Sequence, residues 1–372
     1  MQARFILSYR RIYSIEVIFV RRVMVYFALL LAGAGLLFYP AQAADGVRDG
    51  LRMCGSALIP ALFPFFVLSR FAVSLFDGHG GGKHCDIWMR RLFGVSGGVL
   101  PALLLSMIGG YPVGVSTVVS LYSGGRITKR DAQRALLFCN NSGPAFFIGV
   151  VGGRVLGSVK AGLILYAIHC ATAVMIGAFL AQPDTEPFCL RKCSGTQEGS
   201  IAQKFLDAVS GSCSALLQIS ALVLFFSVLI RLLCACGLLG LVCNALQPLL
   251  PSSLSVGLLW GMLEISGGVL QLSGDGAFIV CAFLLGWGGF CVHFQAQSLW
   301  RPAGLHPSGY FTAKLLHGLL SAFFAFAVFR PSALSMSGCV FLVCGVVFSC
   351  LVRKRGLAFF QLLRYNKKKR QL

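Results

Sequence analysis

The 372-residue chain is 57% apolar and only 12% charged, with a mean hydropathy of +0.80. Soluble domains carry about a quarter charged residues, so a water-soluble globular enzyme is excluded. The formal charge of +20 would point to nucleic acid in a soluble chain, but its placement argues otherwise. Arg4, Arg10, Arg11, Arg21 and Arg22 precede the first apolar run, and eight basic residues lie in the tail from Arg353 to Arg370.

Basic residues flanking apolar segments act as cytoplasmic anchors. The expectation is a multi-pass protein of the cell (inner) membrane with both termini cytoplasmic, the lipid bilayer as partner and no nucleic acid. The tail Lys367-Lys368-Lys369-Arg370 reads as a topology signal.

A helix needs about 20 mostly apolar residues to cross the ~30 Å hydrocarbon layer. About ten segments approach that length: 23–39, 51–76, 95–121, 135–152, 160–181, 214–236, 254–273, 277–300, 310–330 and 335–352. The first reads as an uncleaved signal anchor despite the small-x-small triplet Ala41-Gln42-Ala43, with Met1 and Met24 both open as starts. The polar stretch at 182–203 reads as the connection between two halves.

The third segment poses a topological conflict. If 95–121 crossed the membrane, the loop with Arg126, Lys129, Arg130 and Arg134 would face outside. A re-entrant hairpin removes the conflict, with Gly110, Tyr111, Pro112 and Gly114 at its tip, because Gly and Pro break the helix there and each arm is half a span long. A second hairpin at 254–273, with Ser266, Gly267 and Gly268 at its tip, returns the basic tail to the cytoplasm.

The predicted fold is an all-α polytopic membrane protein with about eight full transmembrane helices plus two re-entrant hairpins in two inverted repeats. Its divisions are a basic amino end and anchor helix (1–50), a first repeat (51–181), a polar linker and interfacial segment (182–213), a second repeat (214–330), and a last helix with a basic tail (331–372). Cys54-Gly55-Ser56-Ala57-Leu58 and Ser212-Cys213-Ser214-Ala215-Leu216 are each followed by a Phe-Phe pair and an arginine, Arg70 and Arg231. Tyr111 precedes Asn140 by 29 residues, as Glu264 precedes His293. Inverted repeats with interrupted helices are the signature of secondary transporters, whose sites lie where the breaks meet.

Six polar residues at membrane depth are the candidate substrate contacts. Asn140, Asn141 and Ser142 interrupt an apolar segment and bring carboxamide and hydroxyl groups that lipid cannot satisfy. Glu264 is an acidic residue within an apolar segment, read as a proton or cation site that carries a coupling charge, with an ion pair to Arg231 as the alternative. His293 and Gln295 follow Gly288-Gly289 and suit a polar ligand such as a nucleobase or ribose, while His169 and His317 read as packing or interfacial residues.

Fifteen cysteines are scattered without a CxxC pair, so no metal, cofactor or disulfide is expected. Phosphate-loop and hydrolase motifs are absent, so no catalytic residue and no enzyme activity is expected.

Four ordered motifs carry a resemblance: Gly110-Tyr111-Pro112-Val113-Gly114, Phe138-Cys139-Asn140-Asn141-Ser142-Gly143-Pro144, Leu263-Glu264-Ile265-Ser266-Gly267, and Gly288-Gly289-Phe290-Cys291-Val292-His293-Phe294-Gln295. Together they resemble the YlbJ family of sporulation integral membrane proteins, whose nucleoside-recognition (Gate) domain is related to segments of concentrative nucleoside transporters. The resemblance implies an inner-membrane protein of endospore formers, needed for the spore cortex. The expected function is a permease-like secondary transporter for a small polar solute, nucleoside-like or ionic. The alternative is a non-transporting scaffold that recruits cortex-assembly proteins, and a homo-oligomer is left open.

Overall fold

A computed structural model describes residues 26, 29–75, 82–182, 200–332 and 337–345. The basic amino end, most of the central linker and the basic tail lie outside the described residues, as do the expectations about start site, tail contacts and termini that fall on them.

Among the described residues every regular element is helical. Helix α1 (Pro40–Met53) runs through a π turn at Cys54–Leu58 into α2 (Ile59–Leu75). Pro40 suits its place because the first helical position has no intrahelical use for an N–H. Helix α3 (Gly82–Phe93) then turns by 87° into the 97–109 stretch, which contains α4 (Leu100–Gly109). Asp86 pins that corner, accepting from Gly97 N at 2.8 Å and from Arg90 Nε at 2.7 Å.

The break predicted at Gly110–Pro112 separates α4 from α5 (Val113–Ser123), and the two fold back on each other. At 1.5 Å per residue each arm is ~15 Å long, half the hydrocarbon thickness. Helix α6 (Lys129–Ala135) starts at Thr128, whose hydroxyl accepts from Asp131 N. The chain then leaves helical geometry through Asn140–Gly143 and resumes as a π-helical stretch, Phe146–Val155, followed by α7 (Val159–Phe179) capped by Ser158.

Helix α8 (Ile201–Ala235) is continuous. The second half was predicted to begin at 214 after an interfacial segment; instead the helix starts at Ile201, because Ser200 caps it and no breaker intervenes. After α9 (Leu238–Leu246) come α10 (Ser252–Leu263) and the short α11 (Ile265–Leu270), which fold against each other. The predicted tip at Ser266-Gly267-Gly268 is corrected: the extended residue is Glu264, and those three residues lie within α11. Helices α12 (Ala277–Trp287) and α13 (Gly289–Trp300) are divided at Gly288 and Gly289, with φ of 92° and 78°, and α14 (Tyr310–Phe329) completes the set.

Four stretches are long and apolar enough to cross a membrane: Val159–Phe179, Ile201–Ala235, Ala277–Trp300 and Tyr310–Phe329, with the bent α3–α4 pair as a fifth. The remaining apolar helices, Val113–Ser123, Phe146–Val155 and Ser252–Leu263 among them, are shorter.

Two intimate helix pairs organise the described residues. Helices α1 and α2 lie along α8, and α12 lies along α14. Glycine makes both approaches close: a Cβ on Gly46 would stand 2.7 Å from Val228 Cα, and one on Gly286 would stand 2.6 Å from Gly318 Cα. Small residues at such crossings let main chains meet where no hydrophobic force between helices is available.

Candidate functional site

The two helix-breaking hairpin tips each rest against a second break further along the chain. A Cβ on Gly110 would stand 2.8 Å from Gly143 N, and one on Gly289 would stand 2.9 Å from Gly261 O and 3.3 Å from Ile265 N. Tyr111 links the two breaks: its hydroxyl donates to Leu285 O, and the hydroxyl end of its ring lies against Gly288. The irregular main chain of these breaks is thus gathered in the protein interior, where its polar groups avoid lipid.

At that junction the side chains form one network. Asn140 Nδ2 donates to Tyr310 OH at 2.5 Å, and Tyr310 OH lies 3.4 Å from His293 Nδ1. Lys314 Nζ donates to Asn140 O at 2.8 Å and to His317 Nδ1 at 3.2 Å, and stands 5.3 Å from the centre of the Tyr111 ring. His317 Nε2 reaches His169 O at 3.1 Å, and His169 Nε2 accepts from Ser142 N at 3.1 Å. Beside it Asn141 Nδ2 donates to Phe138 O at 2.8 Å and Ser106 Oγ at 3.0 Å.

These partners fix the proton positions of His317 and His169. A main-chain carbonyl accepts only, so His317 carries its proton on Nε2 and presents Nδ1 to Lys314. The neutral His169 ring, accepting at Nε2, carries its proton on Nδ1. Tyr310 OH, which accepts from Asn140, can either donate to His293 Nδ1 or accept from it, so both tautomers of His293 suit this contact. The His169 Nδ1 donor is buried without a hydrogen-bond partner among the described residues, as are His293 Nε2 and the acceptors Asn140 Oδ1 and Asn141 Oδ1. Each such orphan costs about 1–3 kcal/mol.

Lys314 is the residue that sequence reasoning missed. It is 1% exposed, and none of the ion pairs among the described residues includes it. The signal was present: a single basic residue inside an apolar run deserves the same reading as Glu264. His169 and His317, predicted to be packing or interfacial residues, join the same network, their rings 4.5 Å apart between centres.

The remaining predicted residues lie outside it. Glu264 is buried, but Oε1 accepts from Ser266 N at 2.9 Å and Oε2 from Gly267 N at 2.7 Å. The carboxylate is a helix cap for α11. The alternative partner Arg231 pairs with Asp49 instead, at 2.5 Å. Gln295 Nε2 contacts Cys291 Sγ at 3.2 Å within α13. We expect Glu264→Ala to lower stability by about 1 kcal/mol, the worth of an N-cap, and Glu264→Gln by less, since one oxygen still accepts. Thermal unfolding of the two variants in detergent measures the difference; equal losses would show that capping is not what the carboxylate does.

Comparison with known proteins agrees with the resemblance read from the motifs. The chain is 26% identical over 327 residues, 80% of each chain, to the sporulation integral membrane protein YlbJ of Bacillus subtilis (strain 168). The similarity to this YlbJ protein thus runs over most of the chain. No protein-family profile and no solved structure matches the chain. With an integral membrane protein as relative and four helices long and apolar enough to span, the chain is a membrane protein.

Proposed function

We propose that the chain is a carrier of the sporulating cell's membrane, moving a small organic anion through the junction of its two halves. The observation that supports this is Lys314. Taking an ammonium out of water costs several kcal/mol, which a counter-ion normally offsets. Here the ammonium finds a main-chain carbonyl, an imidazole and an aromatic face, while the His169 N–H has no acceptor and His293 Nε2 no partner. A carboxylate or phosphate oxygen would satisfy both the ammonium and an imidazole N–H. A neutral nucleoside would leave the charge uncompensated.

The arrangement of helices fits the inverted-repeat reading. Under the predicted duplication, α2 corresponds to α8 and α7 corresponds to α14, and each helix packs against its counterpart, as elements beside a pseudo-twofold axis do. In this reading the α4–α5 and α10–α11 pairs are re-entrant hairpins whose movement opens the junction. The charge that responds to solute is Lys314, with Glu264 holding a hairpin in shape.

A second reading has one observation in its favour. Asn140, His169, His293, Tyr310, Lys314 and His317 are all buried, each no more than 2% exposed. A scaffold whose polar junction only locks helices together would look the same. Proteoliposomes of the full chain separate the two: labelled small organic anions should accumulate saturably and labelled nucleosides should not. If neither enters, and a Lys314→Met strain still builds cortex, the scaffold reading stands.

A further inference from the structure

A separate cavity opens at the ends of α2, α5 and the start of α8, away from the Lys314 network. Its volume is about 460 Å³, and it is lined by Arg70, Arg126 and Lys204 together with Asp207 and the serines Ser74, Ser120 and Ser123. The three cations are all half-buried, whereas Asp207 is exposed and is engaged by Gln203 Nε2 at 2.9 Å. The lining therefore carries a net positive charge at a place where the apolar runs of α2 and α5 have just ended.

The Arg70 guanidinium is built into this wall. It comes from the last turns of α2 and lies against α8 at Gly211, where a Cβ would stand 2.6 Å from Arg70 Nη1. Any larger residue at 211 would press on the guanidinium. Arg70 Nε is buried, and no acceptor among the described residues meets it. Across the cavity Arg126 Nη2 reaches Ser74 O at 3.4 Å, which holds its guanidinium against the end of α2. A guanidinium offers a planar fork of donors that matches two oxygens of one tetrahedral anion, and an ammonium such as Lys204 adds a point charge.

We infer that this cavity is a phosphate site, in which Arg70, Arg126 and Lys204 grip the oxygens of a phosphate group. Ser74, Ser120 and Ser123 add hydroxyls at its rim. The phosphate has two sources with the same chemistry: the headgroup of an anionic phospholipid and a soluble phosphate ion. A headgroup would be met where apolar helices end, as they do at this cavity, and a cation near an anionic surface is worth about 1 kcal/mol, roughly fivefold in binding.

The test uses the full chain in nanodiscs of phosphatidylcholine alone or with phosphatidylglycerol. Native mass spectrometry counts retained lipid, and thermal shift with inorganic phosphate reads the soluble anion. Arg70→Gln and Lys204→Gln are compared with Lys160→Gln in the other described cavity, which keeps the change in charge but moves it elsewhere. Retained phosphatidylglycerol that falls about fivefold in Arg70→Gln and in Lys204→Gln, but not in Lys160→Gln, establishes a lipid site. Stabilisation by phosphate in phosphatidylcholine discs, lost in the same two variants, establishes a soluble-anion site. Equal lipid retention and equal phosphate response in all four proteins overturns the assignment. Lys204 lies on the first turn of α8, so its variant remains informative should Arg70→Gln fail to fold.

Discussion

Lys314→Met should cut uptake of the transported anion by about 30-fold or more while leaving the protein as stable as before, or more stable. The two effects have different causes. Truncating one member of a buried charged contact with a ligand costs about 2 kcal/mol or more in binding, which is the 30-fold. Replacing a buried charge with an apolar side chain of similar volume is often neutral or stabilising, because its desolvation no longer has to be offset. Lys314→Arg should fail as well, since a guanidinium is larger and planar and the site around Nζ is closed by Asn140 O, His317 and the Tyr111 ring.

A purely structural lysine predicts the reverse. Losing the donation to Asn140 O would then loosen the break at 140–143 and lower the melting temperature, while uptake per folded molecule stayed the same. Melting temperature and initial uptake rate, both measured on purified Lys314→Met, distinguish the two outcomes. A lower melting temperature with unchanged uptake would remove Lys314 from solute binding.

The parts of this architecture that were legible in the sequence are those where local chemistry decides the backbone. Gly110 and Pro112 cannot continue a helix, and the chain breaks there. Gly288-Gly289 adopt positive φ, which only glycine takes without strain, and the helix divides there. The carboxamides at 140 and 141 announced a break that lipid could not surround.

What was not legible depends on contacts between distant segments. The capping of α11 by Glu264 could not be told from a coupling site, because the sequence shows an intramembrane carboxylate and not the two N–H groups it meets. Lys314 had the same ambiguity in the opposite direction, since basic residues serve as anchors far more often than as buried ligands. The meeting of Asn140 with Tyr310, 170 residues apart, has no local signature at all. The network is a product of packing α14 against α7 and α12.

The glycines of the second hairpin were read as a turn, and the structure gives one of them a different task with a measurable consequence. A Cβ on Gly268 would fall on the main-chain N and Cα of Gly261, and would lie 2.9 Å from Gly257 O. None of these atoms belongs to a side chain that can swing aside, so α10 and α11 must separate. Because Gly261 O and Leu263 O also lie against Gly289, that movement reaches the break before His293.

Overpacking a fixed interior costs about 1–3 kcal/mol, and contacts with main chain alone lie at the upper end. Gly268→Ala should therefore lower the melting temperature by about 5 °C or more, and should reduce solute binding through the displaced break even though residue 268 makes no hydrogen bond with its side chain. Gly240→Ala is the control: nothing lies within 4 Å of the added methyl, and alanine favours the helix by up to about 1 kcal/mol. Its melting temperature should be unchanged or higher. If Gly268→Ala melts with Gly240→Ala, the two arms are not in the close contact described, and the second hairpin does not hold the junction in place.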